Sequence, residues 1–157
     1  MIREYIFKDR NALAAALASR VADSLRGALT SAENLDTETR ASLVASGGST
    51  PRPFFAELCR IDLPWNRVTV TLADERWVNP EHEDSNERMV RKLLLQELAS
   101  AADFLPLKTS AETPEKACED VASRLKTWLP FDVVVLGMGG DRSEEHTSEL
   151  QSRETIS

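Results

Sequence analysis

Two kinds of hydrophobic period take turns along this chain, and the alternation restricts its fold more than any single motif does. Residues 4–7 form a short apolar and aromatic run that reads as a strand. Asp9 can then cap a helix carrying Leu13, Leu17, Val21 and Leu25 at four-residue spacing. After a polar linker, Ala41-Ser42-Leu43-Val44-Ala45 reads as a second strand, broken at Gly47-Gly48, and Pro51 suits the first turn of a helix running towards Cys59. Val68-Thr69-Val70-Thr71-Leu72 is rich in β-branched residues, and Ser85 or Asn86 can cap the helix of Met89, Val90, Leu93, Leu94 and Leu98. Thr113-Pro114-Glu115 starts a further helix through Val121, Leu125 and Trp128, and Phe131-Asp132-Val133-Val134-Val135-Leu136 has the nearly continuous apolar character of a strand covered on both faces. The outline, βαβαβαβ, predicts an α/β fold: a doubly wound, mostly parallel sheet with helices on both faces. Ligands of such sheets gather at the carboxyl ends of the strands.

Composition narrows the partners. The 157 residues carry 19 basic and 26 acidic side chains for a net charge of -7, with no basic block longer than a pair, so the overall field repels nucleic acid. An anionic ligand must be held by local groups. Cys59 and Cys118 lie far apart in helix-like stretches, which is neither a disulfide framework nor a metal-ligand pattern, and both read as buried thiols. The N-terminus lacks a signal-peptide profile and no apolar run reaches membrane-spanning length, so a cytoplasmic chain without membrane or nucleic-acid partners is expected.

Three strand ends carry the unusual residues. Ser46-Gly47-Gly48-Ser49-Thr50-Pro51 places two glycines and two hydroxyls ahead of a helix, where backbone N–H groups can converge on a phosphate; a plain turn with a capping hydroxyl is the alternative. Neither a Walker A ending nor a nucleophile elbow is present, so Ser49 is not read as a nucleophile. Asp74-Glu75-Arg76-Trp77-Val78 offers Arg76 as a fork for phosphate and Asp74 as an acceptor, against the alternative of a solvated rim with internal salt bridges. His82 among Glu81, Glu83 and Asp84 lacks the fixed geometry a metal needs, and no metal site is assigned. Gly137-Met138-Gly139-Gly140-Asp141 lets a ligand approach the backbone or is simply a glycine turn; it lacks the third glycine of a dinucleotide fingerprint.

In order and spacing, the three segments together resemble the 6-phosphogluconolactonase family, over residues 1–141. The resemblance implies a doubly wound fold shared with glucosamine-6-phosphate isomerases, and hydrolysis of the δ-lactone of 6-phosphogluconate in the oxidative pentose phosphate pathway. It implies no metal and no organic cofactor. Carried over residue by residue, Gly47, Gly48, Ser49 and Thr50 would anchor the substrate's phosphate, with Arg76 helping and Asp74 near the sugar. Gly139, Gly140 and Asp141 would line the reacting end, Asp141 as an orienting residue. In the family the aspartate is followed by Gly-His-x-Ala-Ser-Leu, whose histidine is the general base.

Here the match stops one residue too soon. Residues 142–157 have neither a helical apolar face nor strand alternation, and 142–152 look like a conceptual translation of a sequencing-adapter oligonucleotide. They are read as a non-native tail on a domain incomplete at its C-terminus. His146 lies five residues beyond Asp141 where the family spaces its histidine by two, so the catalytic role is not transferred and this chain is expected to be nearly inactive. An isomerase or deaminase of the same fold, and a sugar-phosphate binder without catalysis, are the other readings.

Overall fold

The computed structural model describes residues 1–31 and 39–137. Helix α1 (Arg10–Ser31) leads into β1 (Ala41–Ala45), α2 (Arg52–Leu58) and β2 (Val68–Leu72). Then come α3 (Asn86–Leu93), β3 (Asp103–Phe104), α4 (Pro114–Lys126) and β4 (Val133–Val135), with single 3-10 turns at Trp65–Arg67 and Glu97–Ala101. The strands form one parallel sheet in the order β3-β2-β1-β4, the doubly wound arrangement expected from the alternation.

Side-chain caps start three of the four helices described, α1, α3 and α4. The Asp9 carboxylate accepts from the Ala12 backbone N–H at 2.8 Å, Ser85 Oγ accepts from Arg88 N at 3.2 Å, and Thr113 Oγ1 from Lys116 N at 3.5 Å. Each satisfies one of the N–H groups a helix start leaves orphaned. Along α1 the buried line is Ala14, Ala18, Val21, Ala22, Leu25 and Leu29. A strict four-residue series drifts by about 40° per step, which is why Leu13, at the head of the expected face, is exposed.

Every residue of β1 and β2 is buried, so the centre of the sheet is covered on both sides. One face presents Ala41, Leu43, Ala45, Val68, Val70 and Leu72 to a core completed by Phe54, Phe55, Leu58, Trp65, Val90 and Leu94. Full burial of each large apolar side chain contributes about 1.5 to 3 kcal/mol. The register that pairs Val44 with both Thr71 and Val134 puts these three on the opposite face, with Ser42 and Thr69. Crossovers through α2 and α3 progress towards one edge, whereas the crossover through α4 returns past β1. Right-handed connections therefore place α4 opposite α2 and α3. In agreement, Ala117 of α4 is buried yet lies outside the main core cluster.

Four expectations need correction. Residues 4–7 pair with no strand among the described residues, and Ile6 is 88% exposed. Strand propensity measures fit to a half-buried surface, and the described residues place no such surface beneath this run. A strand not foreseen, β3, is two residues long, too short for a period to show. Cys118 is exposed, whereas Cys59 is buried as expected. Finally, β4 is the edge of the described sheet rather than a strand covered twice: α1 packs beside it, while Val134 is 49% and Leu136 71% exposed.

Candidate functional site

Strand order reverses between β1 and β4, and in open α/β sheets the crevice at the carboxyl ends of such strands is the natural ligand position. Ser46 follows β1 there and Gly137 follows β4. The two ends touch: a Cβ built on Gly137 would lie 3.5 Å from Ser46 Oγ. That Ser46 oxygen is buried and has no hydrogen-bond partner among the described residues. Beside it a cleft of about 350 Å³ runs along α1, its apolar walls made by Leu13, Leu17, Pro51, Pro53 and Phe54. Arg10, Ser46, Thr50 and Gly137 supply its polar and backbone surface, and its volume falls in the range of small-molecule sites.

The loop from β1 to α2 is built for close approach. Gly48 has a φ of +89°, a conformation that costs an L-residue about 1 to 2 kcal/mol. Gly47 has no room for a side chain: a Cβ there would stand 2.1 Å from Asn86 Oδ1. The N-cap of α2 is Pro51, with no side-chain hydrogen bond, so the hydroxyls of Ser49 and Thr50 are not spent on capping. Both residues are exposed.

The segment after β2 is tied to this loop through Asn86. Its Nδ2 donates to the Asp74 carbonyl at 3.1 Å and to Asp74 Oδ1 at 3.3 Å, while its other side lies against Gly47. Ala73 N also donates to Ala45 O at 2.9 Å, joining the two strand ends directly. Glu75 serves the fold: its carboxylate accepts from the backbone N–H groups of Arg76, Asn86 and Glu87 and from Ser85 Oγ, at 2.7 to 3.2 Å. A carboxylate at the start of α3 complements the helix dipole. Arg76 is exposed and donates through Nη1 to Asp84 O at 3.0 Å, bracing the polar loop of residues 79–85.

Of the residues singled out from sequence, Gly47, Gly48, Ser49, Thr50, Asp74 and Arg76 thus sit on two adjoining loops at the carboxyl edge of β1 and β2. Gly139, Gly140 and Asp141 lie outside the described residues, as does the whole 142–157 segment. His82 is exposed and its Nδ1 accepts from Asp84 N at 3.2 Å. No three His, Cys, Asp or Glu side chains come together to hold a metal among the described residues. No helix among them is long and apolar enough to cross a membrane. Sequence reasoning missed the cleft, the bracing role of Glu75 and the seating of Gly47 on Asn86. A carboxylate just beyond a strand carries no sign of which helix it will cap, and the other two depend on packing between crossovers.

The arrangement has relatives of known name. The sequence model of the family described as glucosamine-6-phosphate isomerases/6-phosphogluconolactonase matches residues 8–150. A 6-phosphogluconolactonase of Rhizobium meliloti is 46% identical over 138 residues, covering 87% of this chain and 57% of the relative. One from Mesorhizobium japonicum is 46% identical over 137 residues, covering 86% and 55%. The crystal structure of a 6-phosphogluconolactonase from Shewanella baltica superposes with a TM-score of 0.79 at 45% identity, covering 90% of this chain and 60% of that one. This chain therefore spans less than two thirds of the length of these relatives. On the strength of the family match and these identities, the chain belongs to the glucosamine-6-phosphate isomerase/6-phosphogluconolactonase family.

Proposed function

We propose that this chain forms the substrate-phosphate-binding part of a cytoplasmic 6-phosphogluconolactonase, which hydrolyses the δ-lactone of 6-phosphogluconate in the oxidative pentose phosphate pathway. The observation that carries the reading is the junction of Gly47, Asn86 and Asp74 beside a cleft at the strand-order reversal. The names of the relatives favour the lactonase over the isomerase. Backbone N–H groups of Gly47 and Gly48 and the hydroxyls of Ser49 and Thr50 hold the phosphate, and the Arg76 fork adds a charge-assisted contact. Asp74 accepts from a sugar hydroxyl. Gly139, Gly140 and Asp141 are assigned to the reacting end, Asp141 as the residue that would orient the family's base.

The chemistry itself is attack of water on the lactone carbonyl, with breakage of the ring C–O bond and transfer of the water's proton to a base. The family's histidine supplies that base, and a positioned general base is worth about 10² to 10⁴ in rate. In this chain Arg142-Ser143 stands where the family has Gly-His. The reading therefore includes a non-native segment at 142–157 and a chain that binds the phosphate without turning the lactone over. The test is hydrolysis of freshly made 6-phosphogluconolactone, corrected for its spontaneous rate, by this chain and by a version continued past Asp141 with Gly-His-x-Ala-Ser-Leu and a family-like C-terminal region. Activity is expected from the second alone. Equal activity in both would overturn the missing-base argument, and activity in neither would count against the lactonase reading.

A further inference from the structure

We propose that Arg10, the first residue of α1, is a specificity residue for the phosphoryl group of the sugar phosphate. The inference rests on the lactonase reading and adds to it a residue from outside the three strand-end segments. Among the described residues Arg10 is the one charged side chain on the wall of the cleft, which it shares with Ser46, Thr50 and Gly137, and no carboxylate among them lines it. Its guanidinium has no ion pair or hydrogen bond among the described residues, unlike Arg26, Arg40, Arg76, Arg91 and Arg124. The nearest carboxylate in sequence, Asp9, is engaged with the Ala12 N–H. The rest of the wall is largely apolar, which lowers the local dielectric and strengthens a charge contact made there. Ser46 Oγ, buried and unpartnered at the same point, offers a hydroxyl to the same ligand. A planar fork, an uncommitted hydroxyl and the Thr50 hydroxyl around one cleft suit a phosphate monoester better than a neutral sugar.

The test is calorimetric titration of the whole chain with 6-phosphogluconate and with gluconate, for wild type, Arg10→Gln, Arg10→Lys, Thr50→Ala and, as a charge control, Arg3→Gln. Arg10→Gln is expected to weaken 6-phosphogluconate binding about tenfold or more and leave gluconate unaffected. Arg10→Lys should recover part of the loss, keeping the charge without the fork, and Arg3→Gln should change nothing. Melting temperatures of wild type and Arg10→Gln should coincide, since the side chain is exposed and unpartnered. Wild-type affinity in Arg10→Gln together with a loss in Thr50→Ala would overturn the Arg10 assignment alone. Absence of binding by the wild-type chain, or indifference to both substitutions, would overturn the phosphate-binding reading with it.

Discussion

Gly47 leaves its side-chain space to Asn86: the position a Cβ on Gly47 would need is filled by the Asn86 carboxamide, which at the same time holds Asp74. Gly47→Ala should therefore displace Asn86 and destabilise the chain by about 1 to 3 kcal/mol, the usual range for overpacking. Asn86→Ala loses the Asp74 hydrogen bonds but opens the space. Chemical denaturation of both single variants and the double variant should give a double-variant loss smaller than the sum of the singles. Additive losses would mean that the two residues are not in contact.

Glu75→Ala should be among the more damaging polar substitutions, although the side chain is only half-buried. It removes a charged acceptor from three backbone N–H groups and a hydroxyl, and hydrogen bonds to charged groups contribute about 1.5 to 3 kcal/mol each at most. Glu75→Gln should recover part of the loss. Urea unfolding monitored by circular dichroism checks both.

Thr50→Ala and Arg76→Ala, in the version continued past Asp141, should raise KM more than they lower kcat, because both act on a phosphate remote from the reacting carbonyl. The loss in kcat/KM should be about 1.5 to 3 kcal/mol for Arg76, less for the neutral hydroxyl. Arg76 also braces the 79–85 loop through Asp84, so its removal should loosen that loop where Thr50→Ala does not. Steady-state kinetics with hydrogen exchange separates the two.

Asp132 and Ser42 fasten β4 to β1. The Asp132 carboxylate accepts from Ser42 N at 2.7 Å and Ser42 Oγ at 2.9 Å, and Ser42 Oγ accepts in turn from Asp132 N. Asp132→Ala should cost about 1.5 to 3 kcal/mol, and Ser42→Ala less, since the backbone contact survives it. Thermal melting of the two variants gives the order.

The two thiols should react in sequence under native conditions. Cys59 is buried and burial pushes its thiol pKa up, which the neighbouring Arg60 only partly offsets; the reactive thiolate is therefore scarce at neutral pH. Cys118 is exposed on α4. Iodoacetamide should label Cys118 first and Cys59 only on unfolding, as peptide mass mapping would read. The sign follows from the raised folded-state pKa: between the unfolded and folded values, rising pH ionises the unfolded thiol first and reduces stability.

The helix starts were legible because capping is a local exchange: Asp9, Ser85 and Thr113 each meet an N–H three residues on. The central strands were legible because β1 and β2 are short, apolar or β-branched, and flanked by polar turns. What escaped is what tertiary packing decides. Tyr5 and Ile6 have strand character without a surface among the described residues to lie on, and α3 ends at Leu93 so that Leu98 falls in a 3-10 turn and is exposed. For the site, the glycines at 47 and 48 announced a close approach, but nothing in their neighbourhood announces that Asn86, from another crossover, fills the gap.

The fastening of Asp132 to Ser42 closes a segment of 90 residues, whereas β1 meets β2 through one short crossover. Closing so long a segment is an entropic cost met late, and topologies rich in such distant contacts fold slowly. During synthesis α1, β1, α2 and β2 leave the ribosome well before β4, so the neighbourhood of Ser46 waits as an open strand edge until Gly137 arrives. The crevice is thus among the last parts of this region to assemble. By the same reasoning, a transient release of β4 would disassemble it while the β1–β2 core stayed intact.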